Sequence, residues 1–450
     1  MKKLYLFLLL ALGCSTLTAQ NPTTYFMEGT PLRSQWNPAF APNRGYVNIP
    51  VIGGIQIDTE SNLSLDCILY PTQSGGLTTL FDSSVSAEQA LRGLDPMNYL
   101  SATNQISLIG FGAYRKDQRT FWAFDLSLKS RMDSELPYAL FDFMKRGNSA
   151  SISNLGANLE SYAEAAFTYS FPIKEKIHIG IRGKFLIGLS YGEMRFSQLD
   201  AVMGADRWYA HAVGEIQLAG MNPDTYVDDM GRLLYDFDDL SDDLKIPAGY
   251  GFGFDLGVTY DPLPELQLSA SVNDLGALFW TKSASSIGHI DEMAEFSGVK
   301  SDENGELIQP EFDFDELLFE VAPDKGISRM TAPSIQAGAE YNFLDRRIGL
   351  GTFYSLKIRP YHCVHNLTFA ANFRPLKWLH LSGSYSFIDN CGSAVGLALN
   401  LCPKFINFFV ATDMLFSKKS PQWVPINQKR INITFGLSVP MGPTGARHQE

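Results

Sequence analysis

The side chains that could carry chemistry in this chain are charged groups placed at alternate positions of otherwise apolar segments. Arg182 and Lys184 sit in IHIGIRGKFLIGLSY, residues 177–191, with His178 on the same face. Glu164, Asp255, Glu340 and His380 occupy the polar face of other such segments, and Asp125 and Lys129 extend the set. Catalysis would require a nucleophile held by a base and an orienting acid. Serines and histidines exist, but no nucleophile elbow or other local signature accompanies them, so no enzyme is expected. The set reads as an ion-pair and hydrogen-bond network filling a narrow polar interior, with permeation past Arg182 and Lys184 as the functional alternative.

Two further groups are acidic. Asp224, Asp228, Asp229, Asp236, Asp238, Asp239, Asp242 and Asp243 crowd one stretch, and residues 302–320 carry a second run that includes Asp302, Glu303, Glu306 and Glu320. Such oxygen ligands suit a divalent cation. Neither run has EF-hand spacing, since Asp302-Glu303-Asn304-Gly305 is only a fragment of that loop. Solvated acidic loops are the simpler account, and interleaved Tyr235, Phe237, Phe312 and Phe314 imply that these loops pack. Cys67, Cys363, Cys391 and Cys402 show neither zinc spacing nor an evident disulfide partner. No metal and no cofactor are expected.

The elements that must position these groups repeat one pattern. Residues 165–171, 252–260, 266–272, 335–341, 379–387 and 431–439 alternate apolar with polar or small side chains, as residues 177–191 do. A period of two means strands with unlike faces. Strands of a soluble sandwich average about 5–6 residues, whereas these runs reach the length that crosses a bilayer at a tilt. The polar faces are rich in Gly, Ser and Asn, and aromatics such as Tyr169, Phe171, Tyr191, Tyr260, Tyr341 and Phe373 recur near strand ends. Lipid outside, water or ion pairs inside and interfacial aromatic girdles describe an all-β transmembrane antiparallel barrel.

Composition agrees with export to a membrane. The 450 residues include 31 Phe, 19 Tyr and 38 Gly, with 45% hydrophobic residues overall. No stretch beyond the N-terminus offers about 20 continuous apolar residues for a spanning helix. Lys2 and Lys3, the apolar run 4–12 and small residues ending at Ala19 form a secretory signal peptide, residues 1–19, with cleavage after Ala19. Processing at Cys14 is the rival, although Ala11-Leu12-Gly13 makes a poor lipobox. Losing the two lysines takes the formal charge from −12 to −14. That excess of acid argues against nucleic acid, whose phosphates need clustered Lys and Arg.

Links between strands set the count. Short turns at 115–118, 172–176, 261–265, 344–346, 374–377 and 402–404 alternate with mostly longer links at 70–103, 132–160, 197–248, 281–331, 359–361, 388–392 and 415–428. That pattern gives about 14 strands with both termini on the short-turn side, 12 or 16 being the alternatives, and places the barrel in the outer membrane. Residues 86–94 read as a short helix capped by Ser86. Residues 20–60 break at Pro50 and Gly53-Gly54, which argues against a central strand. They are expected to form an N-terminal plug or hatch, followed by a barrel over 61–441 and a disordered tail over 442–450.

Asn37-Pro38-Ala39 in that plug, the strand count, and GFGFDLGVTYDPLPELQLSASVNDLGALFW at residues 251–280 resemble the FadL-type outer-membrane proteins. Within that group the chain is similar to the uncharacterised DUF5723 barrels of Bacteroidetes, to which residues 179–190 add a typical stretch, and more distantly to the PorV-like barrels of type IX secretion. The likeness covers nearly the whole mature chain. It implies a hatch containing Asn37, Pro38 and Ala39, outer-membrane lipid as surroundings and a hydrophobic small molecule as passenger. No ligand-binding residues of the family can be matched here. Outer loops that are both acidic and aromatic suit a protein partner equally, so a non-transporting docking scaffold is the alternative.

Overall fold

In the computed structural model the described residues are 21–446, apart from 73–75, 81, 148, 204–207, 222, 237–244, 297–299, 302–306, 309–317, 390 and 416–428. The expected signal peptide, residues 1–19, and residues 447–450 lie outside them, as do Asp238, Asp239, Asp242, Asp243, Asp302, Glu303 and Glu306.

Alternation forces these segments into strands whose apolar faces can meet only one another or lipid. The strands close into an antiparallel 14-stranded barrel. In chain order the wall is β1 (Arg44–Asn48 and Ile55–Ser61), β2 (Met97–Tyr114), β3 (Phe121–Pro137), β4 (Leu155–Lys174), β5 (Ile177–Met203), β6 (Gly249–Leu263) and β7 (Leu266–Trp280). It continues as β8 (Ser334–Phe343), β9 (Ile348–Ile358), β10 (Cys363–Leu376), β11 (Leu379–Ile388), β12 (Gly392–Leu401), β13 (Asn407–Leu415) and β14 (Arg430–Thr444). Each pairs with its neighbour in sequence, and β14 closes on β1.

The opening segment shows what lies against each face. Ile181 and Phe185 stand outward, 43% and 51% exposed, while Arg182 and Lys184 point inward at 1% and 8%. Phe167, Phe252, Phe254, Leu350, Phe369, Phe387 and Leu397 continue the exposed apolar surface around the wall. An apolar belt this continuous far exceeds the patches that soluble proteins expose, and it identifies the barrel as membrane-spanning. Among the described residues no helix is long and apolar enough to cross a membrane.

Residues 44–61 correct the expected extent of the inner segment, because they belong to the wall. Pro50 lacks an N–H and interrupts β1 without ending it. The chain leaves the ladder over residues 49–54, with Val51 exposed at φ 67°. Backbone bonds nonetheless carry β1 across the break: Ile49 donates to Leu437 (3.1 Å), Leu437 to Ile52 (3.0 Å) and Ser107 to Gly54 (2.8 Å). The tail also begins later than expected. β14 runs to Thr444, and Gly445 and Ala446 donate backbone hydrogen bonds to Asn43 and Gln118.

The long links at 197–248 and 281–331 are not simple solvated loops. β5 is 27 residues long and outruns the barrel. Its far end pairs with Trp208–Ala219, which pairs with Ser285–Phe296, then Glu320–Pro323, Leu233–Asp236 and Asp224–Val227. This outer sheet has its own core of Phe196, Ile216, Tyr235, Ile290, Phe319 and Val321. A smaller cap joins residues 63–94 to a helix over Tyr138–Arg146, with Phe141 buried among Leu80, Val85 and Ala90. Within it Ser86 caps the short helix Ala87–Ala90, accepting from the Gln89 N–H at 3.2 Å.

Candidate functional site

Residues 21–42 lie inside the barrel. Pro22 starts a 3-10 turn over Pro22–Phe26, and Asn21 caps it by accepting from the Thr23 N–H at 2.8 Å. That turn presents aromatic rings to the wall. Tyr25 packs on Phe353 with ring centroids 4.1 Å apart, and Phe26 and Trp36 meet Tyr25 edge-on at 5.1 and 5.8 Å. Phe40 joins the same cluster, with the Arg33 guanidinium 3.9 Å above its ring. Farther along, Met27 and Leu32 pack against inward-facing Ala398, Phe409 and Ala411.

Hydrogen bonds tie the segment to strands on opposite sides of the lumen. Tyr25 Oη and Ser269 Oγ are 2.7 Å apart. Thr23 Oγ1 donates to Asp413 at 2.7 Å and lies 2.6 Å from Ser384 Oγ. Ser271 and Asn273 both donate to the Trp36 carbonyl, at 2.8 and 2.7 Å.

Asn37, Pro38 and Ala39 occupy the tightest contact. Asn37 is fully buried; its Nδ2 donates to the Val258 and Ala270 carbonyls at 3.2 and 3.1 Å, while its Oδ1 accepts from the Ala39 N–H at 2.9 Å. The wall makes room by omitting side chains. A Cβ on Gly180 would sit 2.0 Å from the Pro38 carbonyl carbon, and one on Gly257 2.0 Å from Asn37 Oδ1. Gly338 and Gly351 likewise admit the rings of Tyr25 and Phe26. These glycines face the lumen because β5, β6, β8 and β9 alternate, so the seat is written at period two.

The buried charges form separate clusters. In the first, Arg182 faces Asp125, Glu164 and Asp255 at 3.7, 3.6 and 3.9 Å. Lys129 meets Glu164 at 2.7 Å, and Lys184 meets Asp255 and Asp274 at 2.7 and 2.6 Å. In the second, Glu28 of the inner segment meets Arg346 at 2.6 Å and Arg374 at 3.6 Å, and Arg374 meets Glu340 at 2.5 Å. His380 packs beside Gly29 of the same segment. Thus Glu164, Arg182, Lys184 and Asp255 come together as one network, whereas Glu340 and His380 belong to another. His178 stands half-buried opposite Thr259.

A third cluster went unseen in the sequence. Asp58 is gripped by Arg430 at 2.8 and 3.1 Å, with Lys357 at 3.7 Å. Arg359 links Glu60 and Asp133, and Arg131 links Asp133 and Glu160. The alternation of Gln56, Asp58 and Glu60 was the available signal, hidden by the break at Pro50. Asp274 was missed for another reason: it sits at a bulge with φ 57°, which turns an out-of-phase residue into the lumen.

Part of the interior is tightly filled. The void bounded by Pro22, Trp36, Glu60, Lys357 and Arg430 offers no room for a water molecule. Among the described residues no group of His, Cys, Asp and Glu is arranged to hold a metal ion. Cys67, Cys363, Cys391 and Cys402 are unpaired.

Residues 38–413 match the family described as "Family of unknown function (DUF5723)". The chain belongs to this family. For this DUF5723 protein no curated protein gives a match. Its fold is similar to the Pseudomonas putida toluene transporter TodX, at 10% identity over 94% of each chain with a TM-score of 0.40. It is similar also to a Pseudomonas aeruginosa FadL homologue, at 10% identity over 94% of each chain with a TM-score of 0.41.

Proposed function

We propose that this DUF5723 protein is an outer-membrane conduit for a hydrophobic compound, closed in the described conformation by residues 21–42 acting as a hatch. One observation carries the reading. The inward face of β9–β13 is apolar at Phe353, Ala370, Ala398, Phe409 and Ala411, and the inner segment covers those positions with its own Tyr25, Phe26, Met27, Leu32 and Trp36. A lumen that only needed filling would be polar throughout. Here the segment takes the place an apolar passenger would occupy. Withdrawing these side chains into water costs roughly 10 kcal/mol at 1.5–3 kcal/mol each, so opening is coupled to replacement of that surface by the passenger. The outer-membrane location is supported by the even strand number and by short turns opposite long links.

The test is a reversible lock. Thr23→Cys and Ser384→Cys, in a chain whose native cysteines are replaced by serine, place two thiols where the hydroxyls are 2.6 Å apart. Liposome uptake of a lipophilic compound should stop on oxidation and return on reduction. Equal uptake in both states removes the hatch from the mechanism. A second reading, protein docking, draws on the outer sheet, whose last strand Asp224–Val227 is exposed at every residue and pairs on one side only among the described residues. Absence of uptake together with a stoichiometric co-purifying partner favours it.

A further inference from the structure

The lipid-facing wall is not uniformly convex. Across β10–β13 it carries a groove of about 380 Å³ lined by Ala371, Phe373, Leu381, Gly383, Leu397 and Val410. The register explains it. Gly383 pairs with Ala371 on one side and Leu397 on the other, so two small residues lie side by side. The outward-facing pair nearer the short turns is Phe373–Leu381, and the pair beyond is Phe369–Tyr385. Both are large and exposed, and Phe373 and Leu381 wall the dip on the short-turn side. A Cβ on Gly383 would touch only Leu397, at 3.7 Å, so the space above it is open.

Two cations stand in the short turns beyond the Phe373–Leu381 wall of the groove. β10 and β11 are joined through Lys377, and β12 and β13 through Lys404; both lysines are exposed, and neither turn contains an acid. From Gly383 to Leu379, and equally from Leu397 to Leu401, is about 13 Å of strand. A leaflet's hydrocarbon is about 15 Å deep. The dip therefore lies within the leaflet on the short-turn side, and the lysines stand at the level of its headgroups. Trp378 is 44% exposed beside Lys377, where an interfacial aromatic belongs.

We infer that β10–β13 form a binding site for one anionic phospholipid of the short-turn leaflet, its acyl chain in the Gly383 groove and its phosphate between Lys377 and Lys404. The occupant follows from continuity of the groove with the lipid-facing belt and from charge: two lysines in turns that contain no acid select an anionic headgroup over a zwitterionic one. The assignment does not rest on the function proposed for residues 21–42.

The test is native mass spectrometry of the protein exchanged into mild detergent with phosphatidylglycerol or phosphatidylcholine. The unmodified chain should retain one phosphatidylglycerol, preferred about thirtyfold for two lysines each contributing an ordinary headgroup contact. Gly383→Leu should abolish retention by filling the dip. The pair Lys377→Gln and Lys404→Gln, on exposed turns that leave the barrel intact, should erase the preference while sparing phosphatidylcholine binding. Heat-modifiable gel mobility confirms that each variant is folded. Equal retention by Gly383→Leu, equal binding of both lipids by the unmodified chain, or a lipid-free dimer whose contact Gly383→Leu disrupts would overturn the assignment.

Discussion

The seat of Asn37-Pro38-Ala39 makes a sharp prediction, because two glycines of one strand differ only in what they face. In Gly180→Ala the new methyl would lie 2.0 Å from the Pro38 carbonyl carbon and 2.2 Å from the Ala39 nitrogen. That is roughly 1.4 Å inside ordinary contact, against backbone that cannot swing aside as a side chain does. The segment must lift. Asn37, held at 3.1 and 3.2 Å to the Ala270 and Val258 carbonyls, then loses both bonds. Two such bonds are worth about 2 kcal/mol together, and overpacking adds about 1–3 kcal/mol. The seated state should weaken by about 3 kcal/mol or more, raising the unseated fraction by roughly two orders of magnitude. Ser34, buried at 2%, reports this when replaced by cysteine in a chain without the native thiols. Labelling by a water-soluble maleimide tracks the unseated population when opening is fast. Gly183→Ala, three residues away, is the control, since a Cβ there meets nothing within 4 Å. If the two alanine variants label at the same rate, the seat does not hold the segment.

Two further outcomes follow from burial. Arg182→Met removes the cation that Asp125, Glu164 and Asp255 share, and should destabilise the barrel by about 3–5 kcal/mol. A lowered denaturant midpoint checks it, with partial recovery on adding Asp125→Asn; an unchanged midpoint refutes the network. Among the cysteines, burial pushes the Cys391 thiol up to about 12, whereas Cys363 is exposed. In the folded protein Cys391 should react with thiol reagents at least about thirtyfold more slowly than an ordinary exposed thiol, and comparable modification of the two sites by mass spectrometry would contradict this.

The alternation along the chain by itself determined that these segments are strands, that the wall is closed and membrane-facing, and that Arg182, Lys184, Glu164 and Asp255 point inward. Side chains on a strand have no other option than alternate faces, and apolar residues on the outer face of every strand leave lipid as their solvent. The short turns fell where the alternation lapses, at residues such as 344–346 and 374–377, so the strand count was legible as well. Tertiary structure alone decided what meets inside. Asp58 and Arg430 are 372 positions apart and touch only because β14 closes on β1. Whether Pro50 ends a strand or merely bends it depended on partners that could bridge the break, and Ile52 and Gly54 found them in Leu437 and Ser107. The outer sheet likewise needed strands contributed by two separate links before either had a core. Local periodicity encodes which face a residue takes, whereas the identity of its neighbour across the lumen is set by closure of the whole ring.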